Sequence, residues 1–462
     1  MMHAFIYGFA GYFVSLVLLG ALVYQRSRTA SEFILGSRSL SYWTTAIAAH
    51  ASDMSMWMFM GLPAAAYITG MQSIWIPLGL MGGMYLTWIY IARPLRIATE
   101  TYHSNTLSTY FEKRFNDTTG LLRIISACFS LWFFTFYISS GLVGMGCLFE
   151  SAFNVDYHVG ITLGLIVTIA YTFIGGFGAI AQSHFFQGIF LVFMMVFIPF
   201  LAYFSLPPST SLTEIAHLRN ISFSLIPQTF SELIHSLILA VSWGMGYFGQ
   251  PHILVNFMGI KDPSGMPKAM RVGMLWQFFT FSASLAVGLI GIAFFSNPLE
   301  NPGLVFIKTV QTLFSPFYAG FILCAIVAAG LTTIATQMLV SSSTIAHDIY
   351  DQFFNKQATE QTTLRVSRYS LLIIPFVSFL IAFSKSSTVY NLVDYAWMGL
   401  GASFGPAIII ALYGQTKNYR GIALGMIIGG ITATFWPLLK TGIPAMIPAF
   451  FLNIFCIFFY KK

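Results

Sequence analysis

Asp53 is an acidic residue in the middle of a long apolar stretch, where residues 48–57 read AAHASDMSMW. Burying a carboxylate at membrane depth costs several kcal/mol unless it meets a cation, a hydrogen-bond donor or water. An acid in such a position is therefore a candidate for binding or coupling.

A second unusual stretch, residues 242–251, reads SWGMGYFGQP and combines three glycines with a proline. These residue types destabilise a helix. At membrane depth a broken helix is tolerated only where it lines a cavity or is buried in protein. Its free carbonyl oxygens suit a small hard cation, and its half-helix N-termini suit a carboxylate. Together with Asp53, this stretch indicates a cation-coupled transporter.

Oxygen atoms for a cation are available at two places in the sequence. Ala51 and Met54 offer backbone carbonyls next to Asp53, while Thr332 and Thr333 follow small residues that permit close backbone approach. A single threonine in a membrane helix more often bonds to its own backbone. The adjacent pair, followed by serines at 341–343, favours a polar stripe instead.

Aromatic side chains could form the wall of a solute site. Trp243 and Tyr247 are four residues apart and share a helix face, which gives an apolar wall with polar tips. Most aromatic residues of this chain are expected to pack or to lie at a membrane interface. The neighbouring glycines and Pro251 favour a binding wall here, and Tyr137 is a further candidate. Asp394, early in another apolar span, is either hydrated near the membrane surface or functional.

The composition requires a membrane protein. The chain has 462 residues, of which 57% are hydrophobic and 8% charged, with a mean hydropathy of +0.76. Apolar segments repeatedly reach the roughly 20 residues that a helix needs to cross a bilayer, so we predict an all-α polytopic protein. The thirteen predicted spans are 4–25, 40–70, 74–92, 122–150, 158–176, 180–204, 231–258, 271–295, 315–346, 366–384, 388–413, 420–438 and 442–460.

The distribution of basic residues predicts the orientation. With the N-terminus outside and the C-terminus cytoplasmic, only Arg219, Lys308, Lys385 and Lys440 of the 22 basic residues fall outside, and 18 fall inside. The formal net charge of +7 is then explained by topology. The expected partner of the surface is a lipid bilayer and not nucleic acid.

The two broken spans are five spans apart. Because five is odd, the second group of five helices enters the membrane from the opposite side, which predicts an inverted repeat with a LeuT-like architecture and discontinuous first helices. The predicted divisions are an extra N-terminal helix and inner loop (1–39), a first repeat (40–205), an external loop (206–230), a second repeat (231–415) and two extra C-terminal helices (416–462).

Several short motifs give the chain a resemblance to the sodium:solute symporter family, and most closely to its bacterial proline-transporting members. These motifs follow one another in order through nearly the whole chain. They are GSRSL at 36–40, ASDMS at 51–55, GLP at 61–63, YTFIGGF at 171–177, GYFGQPH at 246–252 and GASFGP at 401–406.

The resemblance implies a role for individual residues. Sodium ligands are implied to be the backbone oxygens of Ala51, Met54 and Ala329 and the hydroxyls of Thr332 and Thr333. Asp53 matches an acid important for coupling, with the Ser55 hydroxyl beside it. The residues implied to face the solute are Tyr137, Trp243, Tyr247 and Pro251, and Arg38 matches an arginine near the inner gate.

One position departs from the family pattern. The family often has an acid, linked to coupling or to a second sodium, where this chain has His184. A second cation site, the stoichiometry and the choice between sodium and protons therefore stay open. Asp394 likewise stands where a small neutral residue is expected.

We expect a secondary active symporter of the bacterial cytoplasmic membrane that couples inward sodium flux to uptake of a small solute, which the resemblance implies to be L-proline. The alternatives are symport of another amino acid or an organic anion, with sodium or protons, and, from another class, an ion channel. The sequence has no metal-ligand cluster, nucleophile elbow or HExxH pattern, which argues against an enzyme.

Overall fold

A computed structural model of the protein describes residues 6–12, 14–15, 29–174 and 176–460. Most of the predicted first span, 4–25, lies outside these residues. So do Arg26, Arg28, Lys461 and Lys462 of the expected inner set and Gly175 of the YTFIGGF motif.

The described part of the chain is almost entirely helical. Residues 6–12 and 14–15 are helical and precede the helices that we number here. The first half contains α1 (Ala30–Leu35), α2 (Tyr42–Met54), α3 (Trp57–Met60), α4 (Leu62–Thr69), α5 (Trp75–Leu86), α6 (Arg93–Thr101), α7 (Leu107–Arg114), α8 (Leu121–Phe153), α9 (Tyr157–Ile174), α10 (Phe177–Phe204) and α11 (Leu212–Leu218). The second half contains α12 (Phe230–Gly246), α13 (Pro251–Met258), α14 (Met266–Phe294), α15 (Val305–Leu313), α16 (Pro316–Ser343), α17 (Glu360–Ser370), α18 (Ile373–Phe383), α19 (Val389–Tyr413), α20 (Tyr419–Phe435) and α21 (Met446–Phe459).

These helices bear out an all-α membrane protein. Eight helical segments of the described chain are long and apolar enough to cross a bilayer. The predicted spans after 4–25 each coincide with one or more of the helices above. A π-helical turn, Thr87–Ala92, joins α5 to α6, and a longer one, Thr344–Phe354, extends α16.

The first predicted break lies at Ser55. This residue has φ 44° and ψ −172°, a conformation that ends α2, before the chain resumes helical geometry at Met56. Its backbone N–H donates to Thr333 Oγ1 of α16 (3.1 Å), and its own hydroxyl accepts from the N–H of Trp57 (3.1 Å). A non-glycine residue in this region is strained, so the contacts from α16 hold the break in place.

The second predicted break lies between α12 and α13. A 3₁₀ turn, Tyr247–Gly249, follows α12, and Gln250 is extended with φ −92° and ψ 99°. Pro251 disfavours helical geometry in the residue before it and has no N–H to donate, which makes it suited to the first turn of the next helix. The proline therefore determines where the second half-helix begins.

The packing of the helices repeats when the two halves are exchanged. Counted as membrane spans, α5 and α14 are the second spans of the two repeats. Each packs on the broken first span of the other repeat, α5 on α12, and α14 on α2 and α4. The fifth spans of the two repeats are α10 and α19. Each packs on the broken first span of its own repeat, α10 on α2, and α19 on α12 and the turn after it. Each fifth span also packs on the third span of the other repeat, so that α10 contacts α16 and α19 contacts α8. This exchange symmetry is what an inverted repeat requires.

Close backbone contact fixes the position of α12. A Cβ atom on Gly83 of α5 would lie 2.0 Å from the carbonyl oxygen of Gly244. Only glycine permits this approach, so α5 and α12 meet backbone to backbone, as small residues allow in membrane helix pairs.

Two connections differ from the sequence-based expectation. The polar composition of residues 93–121 predicts a surface helix, but they form α6 and α7, with Arg96, Tyr110 and Phe111 buried. The polar composition of residues 347–365 predicts a solvated inner loop, but Asp348 within it is fully buried. In both places polar side chains pack against neighbouring helices, which a local count of polar residues does not detect. The loop 206–230 contains the short helix α11, and α15 lies between two spans.

The bundle has two ends, which we name after an arginine at each. At the Arg38 end, Arg38 donates to the backbone of Met258 and Ser104, and Leu40 pairs with Ile260. At the Arg219 end, Arg219 donates to Tyr67 Oη and to the carbonyl oxygens of Phe295 and Ser296.

Candidate functional site

The end of α2 supplies free carbonyl oxygens. Its last four residues are Ala51, Ser52, Asp53 and Met54, and the last four C=O groups of a helix have no partner within it. The Thr332 hydroxyl donates to the carbonyl oxygen of Ala51 (2.8 Å), and the Tyr137 hydroxyl donates to that of Asp53 (3.3 Å). The helix C-terminus also carries a partial negative charge, so this position favours a cation.

Four oxygen atoms meet where α2 contacts α16. Besides donating to Ala51, Thr332 Oγ1 lies 3.0 Å from the carbonyl oxygen of Ala329, to which it also donates. Thr333 Oγ1 accepts from the backbone of Ser55 at the break, and all of these residues are buried. Neutral carbonyl and hydroxyl oxygens are the ligands that a small hard cation prefers. In the described part of the chain no cluster of His, Cys, Asp and Glu side chains is suited to a metal ion.

Four of the five residues implied as sodium ligands therefore take part in hydrogen bonds at the α2–α16 contact, namely Ala51, Ala329, Thr332 and Thr333. Met54, the last residue of α2, completes the set with the carbonyl that precedes the break. The nearest acid in the chain is its neighbour Asp53.

The Asp53 side chain is directed away from these ligands, toward a pocket. It is 6% exposed, and Tyr247 Oη donates to its Oδ2. Gln277 Nε2 of α14 donates to the oxygen of Tyr247 (3.0 Å), which leaves the single hydroxyl proton of Tyr247 for the carboxylate. Within the described residues Asp53 forms no ion pair. Its charge is thus held by a hydrogen-bond chain and not by a cationic side chain.

The pocket beside Asp53 collects most of the residues predicted to face the solute. Its lining consists of Asp53, Met54, Ser55, Trp57, Leu80, Tyr137, Trp243, Tyr247, Phe281, Val393 and Trp397. The space between these side chains admits about one water molecule, since it is close to the minimum that a water needs. The broken helices thus meet at a closely packed pocket, with polar groups on one side and aromatic rings on the other.

A cluster of aromatic rings covers the pocket toward the Arg219 end. Trp57 and Trp243 have ring centroids 5.2 Å apart, and Tyr390 lies 5.9 Å from Trp243. Trp57 is the first residue of α3 and Tyr390 is the second residue of α19, so the cover joins both broken helices to a third element. A solute entering from this end requires these rings to separate.

Trp397 of α19 forms hydrogen bonds on both sides of the second break. Its Nε1 donates to the carbonyl oxygen of Trp243 (2.9 Å), and its own carbonyl oxygen accepts from Gln250 Nε2 (3.1 Å). Its ring meets Tyr247 edge-on at 4.8 Å. Neither Trp397 nor Gln277 belongs to the set of site residues predicted from the sequence, because each makes its contacts with residues distant in sequence. The available signal was weak: a tryptophan in the small-residue run 396–402, and a glutamine in an apolar span.

Three residues from the sequence-based set lie away from this pocket. Pro251 lines a separate cavity toward the Arg38 end. His184 lies on α10 and is buried, and its Nε2 has no hydrogen-bond partner in the described part of the chain. Asp394 of α19 is half-buried and forms no ion pair with any residue that the structure describes. Neither His184 nor Asp394 lines the Asp53 pocket.

Arg38 closes the Arg38 end. Its guanidinium donates to Thr99 Oγ1 (3.2 Å) and to the carbonyl oxygens of Met258 (2.9 Å) and Ser104 (3.0 Å). It thereby joins the segment before α2 to the end of α13. Burial lowers the pKa of Arg38 to about 10, so the side chain stays charged at neutral pH.

A family comparison agrees with this geometry. The model of the sodium:solute symporter family matches residues 33–429.

Three curated bacterial proteins align with almost the whole chain. The osmoregulated proline transporter OpuE of Bacillus subtilis is 37% identical, with 96% of this chain and 91% of that protein covered. Sodium/proline symporter 2 of Staphylococcus saprophyticus is 39% identical, with 98% and 91% covered. The high-affinity proline transporter PutP of Bacillus subtilis is 36% identical, with 96% and 95% covered.

Solved structures support the fold. A Na⁺-coupled sialic acid symporter in a substrate-bound outward-open state superposes with a TM-score of 0.80 at 17% identity, covering 99% of this chain and 98% of that one. MhsT in complex with L-phenylalanine superposes with a TM-score of 0.57 at 15% identity, covering 91% and 98%. At these identities the likeness concerns the architecture alone.

Proposed function

The chain belongs to the sodium:solute symporter family, and we propose that it carries L-proline into the cell together with sodium. It is a transporter and not an enzyme, and sodium is its co-transported ion. Proline as the solute rests on the proline transporters among its relatives and on the pocket described above.

One observation carries the proposal: the end of α2 belongs to both candidate sites. Its carbonyl oxygens meet the hydroxyls of Thr332 and Thr333, while the Asp53 side chain lines the pocket. Sodium bound at the α2–α16 contact would replace the hydrogen bonds of Thr332 and fix the end of α2. A fixed α2 positions Asp53 and Ser55 for the solute, which is the coupling that symport requires.

The pocket has the features that a small zwitterion with an apolar ring needs. The backbone N–H groups at the start of α3 suit a carboxylate, and the C-terminal ends of α2 and α12 suit an ammonium group. The rings of Trp243 and Tyr247 offer an apolar wall for a pyrrolidine ring. The tight packing supports a small solute.

We propose that the Arg38 end is cytoplasmic and that the protein lies in the bacterial cytoplasmic membrane. Arg38, Arg96 and Arg114 lie together at that end, where each donates to backbone carbonyls. The opposite end holds Arg219 and the Lys385–Glu150 ion pair. This unequal distribution of basic residues follows the positive-inside rule.

The pocket is closed on both sides in this conformation. Aromatic rings cover it on one side, and the Arg38 hydrogen bonds join the segments on the other. Transport would open these closures in turn, as alternating access requires.

The test is uptake of radiolabelled L-proline into proteoliposomes under an inward sodium gradient, compared with potassium and proton gradients. We expect saturable, sodium-driven uptake that Asp53→Ala abolishes. Asp156→Ala is the matched control, because Asp156 is an exposed acid between α8 and α9. Trp243→Ala should mainly raise the KM for proline.

Other results would contradict particular parts of the proposal. Uptake driven only by protons would refute sodium coupling and direct attention to His184 and Asp394. Sodium-driven uptake of another amino acid, but not of proline, would refute the solute. Flux that does not saturate would indicate a channel.

A further inference from the structure

The polar face of α16 continues past the proposed sodium ligands toward the Arg38 end. Gln337, Ser341, Thr344 and Asp348 follow Thr333 at intervals of three or four residues, so they share one face of the helix and of its π-helical extension. Their side chains are at most 3% exposed. A continuous polar face inside a membrane protein is costly unless it serves a ligand.

Several polar atoms on this face have no hydrogen-bond partner among the residues that the structure describes. They are both side-chain atoms of Gln337, Oγ of Ser341 and Oδ2 of Asp348. Buried polar atoms are usually paired, and leaving them unpaired is unfavourable. Three such residues among the four on this face indicate a place that a polar ligand occupies during function.

A cavity lies beside this face and reaches from the second break to the Arg38 end. Pro251 lines it near the break, and Ser343 and Thr344 line it along α16. Thr106 and Ser108, around the start of α7, line its other side. Thr106 Oγ1 also donates to Asp348 Oδ1 (2.8 Å), which places the carboxylate next to this cavity.

The Asp348 carboxyl group interacts with Arg123 and His347 only at a distance. Within the described residues it forms no ion pair. The arginine on the neighbouring helix α8, Arg123, is already engaged by Glu112 and by Gln352 Oε1. One oxygen of the carboxylate therefore remains free for a cation.

We propose that sodium leaves the α2–α16 contact along this face of α16 and binds transiently at Asp348 before it reaches the cytoplasm. The ligands are hydroxyl and amide oxygens followed by a carboxylate, which suit a small monovalent cation. This inference rests on the proposed function, since it assumes inward sodium flux and a cytoplasmic Arg38 end.

The test separates sodium release from solute handling. Asp348→Asn keeps the shape and the acceptor for Thr106 but removes the charge. We expect net sodium-driven proline uptake to fall about tenfold, equivalent to a barrier raised by about 1.4 kcal/mol. Proline exchange with saturating sodium on both sides does not require sodium release, so it should stay within about twofold of wild type.

Asp351→Asn is the charge control. Asp351 lies three residues further along the same helix, where it contacts His347 and Thr363, and its substitution should change neither rate by more than about twofold. Equal loss of net uptake and exchange in Asp348→Asn would overturn the proposal. So would unchanged net uptake, or the same defect in Asp351→Asn.

A second measurement does not depend on the solute. Release of bound ²²Na⁺ from purified protein, followed by scintillation proximity, should be severalfold slower in Asp348→Asn and in the milder variant Ser341→Ala. Unchanged release in both would refute the exit route. If wild-type protein binds sodium but transports no proline, the proposed solute fails, while the ²²Na⁺ release rates still decide whether Asp348 acts on sodium.

Discussion

Thr332→Val tests the proposed sodium site most directly. Valine has nearly the same shape as threonine but lacks the hydroxyl, so the helix packing is retained. The substitution removes one proposed ligand of sodium. It also removes the hydroxyl that donates to the carbonyl oxygens of Ala51 and Ala329.

The expected magnitude follows from these contacts. An interaction between a polar group and a charge contributes about 1.5–3 kcal/mol. Since about 1.4 kcal/mol corresponds to a factor of ten in an equilibrium constant, the sodium concentration for half-maximal uptake should rise about 10- to 150-fold. The pocket side chains are untouched, so the KM for the solute at saturating sodium should change by less than about threefold.

The assay is initial-rate uptake in proteoliposomes as a function of sodium concentration, at fixed and then at saturating solute. Thr168→Val is the matched control, because Thr168 is a buried threonine whose hydroxyl bonds only to its own helix, at Gly164. Folded Thr332→Val protein with wild-type sodium dependence would refute the assignment. A changed solute KM with unchanged sodium dependence would move Thr332 from the sodium site to the solute site.

Three further predictions concern the elements around the pocket. Tyr247→Phe removes the hydroxyl between Gln277 and Asp53, and uptake at a fixed low proline concentration should fall about tenfold or more; a wild-type rate would contradict the hydrogen-bond chain. Gly246→Ala places a Cβ 1.9 Å from Trp397 Nε1 and should destabilise the protein by about 1–3 kcal/mol, which is measured as a lower Tm in detergent. The control Gly82→Ala, whose Cβ meets open space, should leave the Tm unchanged. Arg38→Ala breaks three hydrogen bonds and should speed maleimide labelling of a Val255→Cys reporter severalfold from the Arg38 side. Arg38→Lys should not restore slow labelling, because one ammonium group cannot reproduce the guanidinium geometry.

Much of the candidate site could be predicted from the local sequence. An acid at membrane depth and a helix that contains three glycines and a proline are unfavourable unless they line a site, so Asp53 and the break before Pro251 stood out without a structure. The four-residue spacing of Trp243 and Tyr247 predicts that they share a helix face, and both side chains line the pocket beside Asp53. In each case the signal lay within about ten residues.

The contacts that complete the site come from residues far apart in sequence. Trp397 meets Trp243 across 154 positions, and Gln277 meets Tyr247 across 30. Asp348 looked like a solvated loop residue, because its own neighbours are polar, and its burial arises from packing against Thr106 across 242 positions. Pro251 was expected to face the solute because it lies next to the break. It lines the cavity toward the Arg38 end instead, so its position in the sequence did not determine which cavity it lines.

By itself, the sequence determined that this protein is an all-helical membrane protein with two interrupted helices. Composition and span length require helices, because within lipid the backbone N–H and C=O groups must form their hydrogen bonds inside the chain. The two broken helices are an odd number of spans apart, which requires an inverted repeat. Only the tertiary structure decided which oxygen atoms meet at the α2–α16 contact and which side chains close the pocket. Those contacts depend on how helices from opposite halves pack, and that geometry is set by side-chain volumes and close backbone approaches, such as Gly83 against Gly244, which the linear sequence does not display.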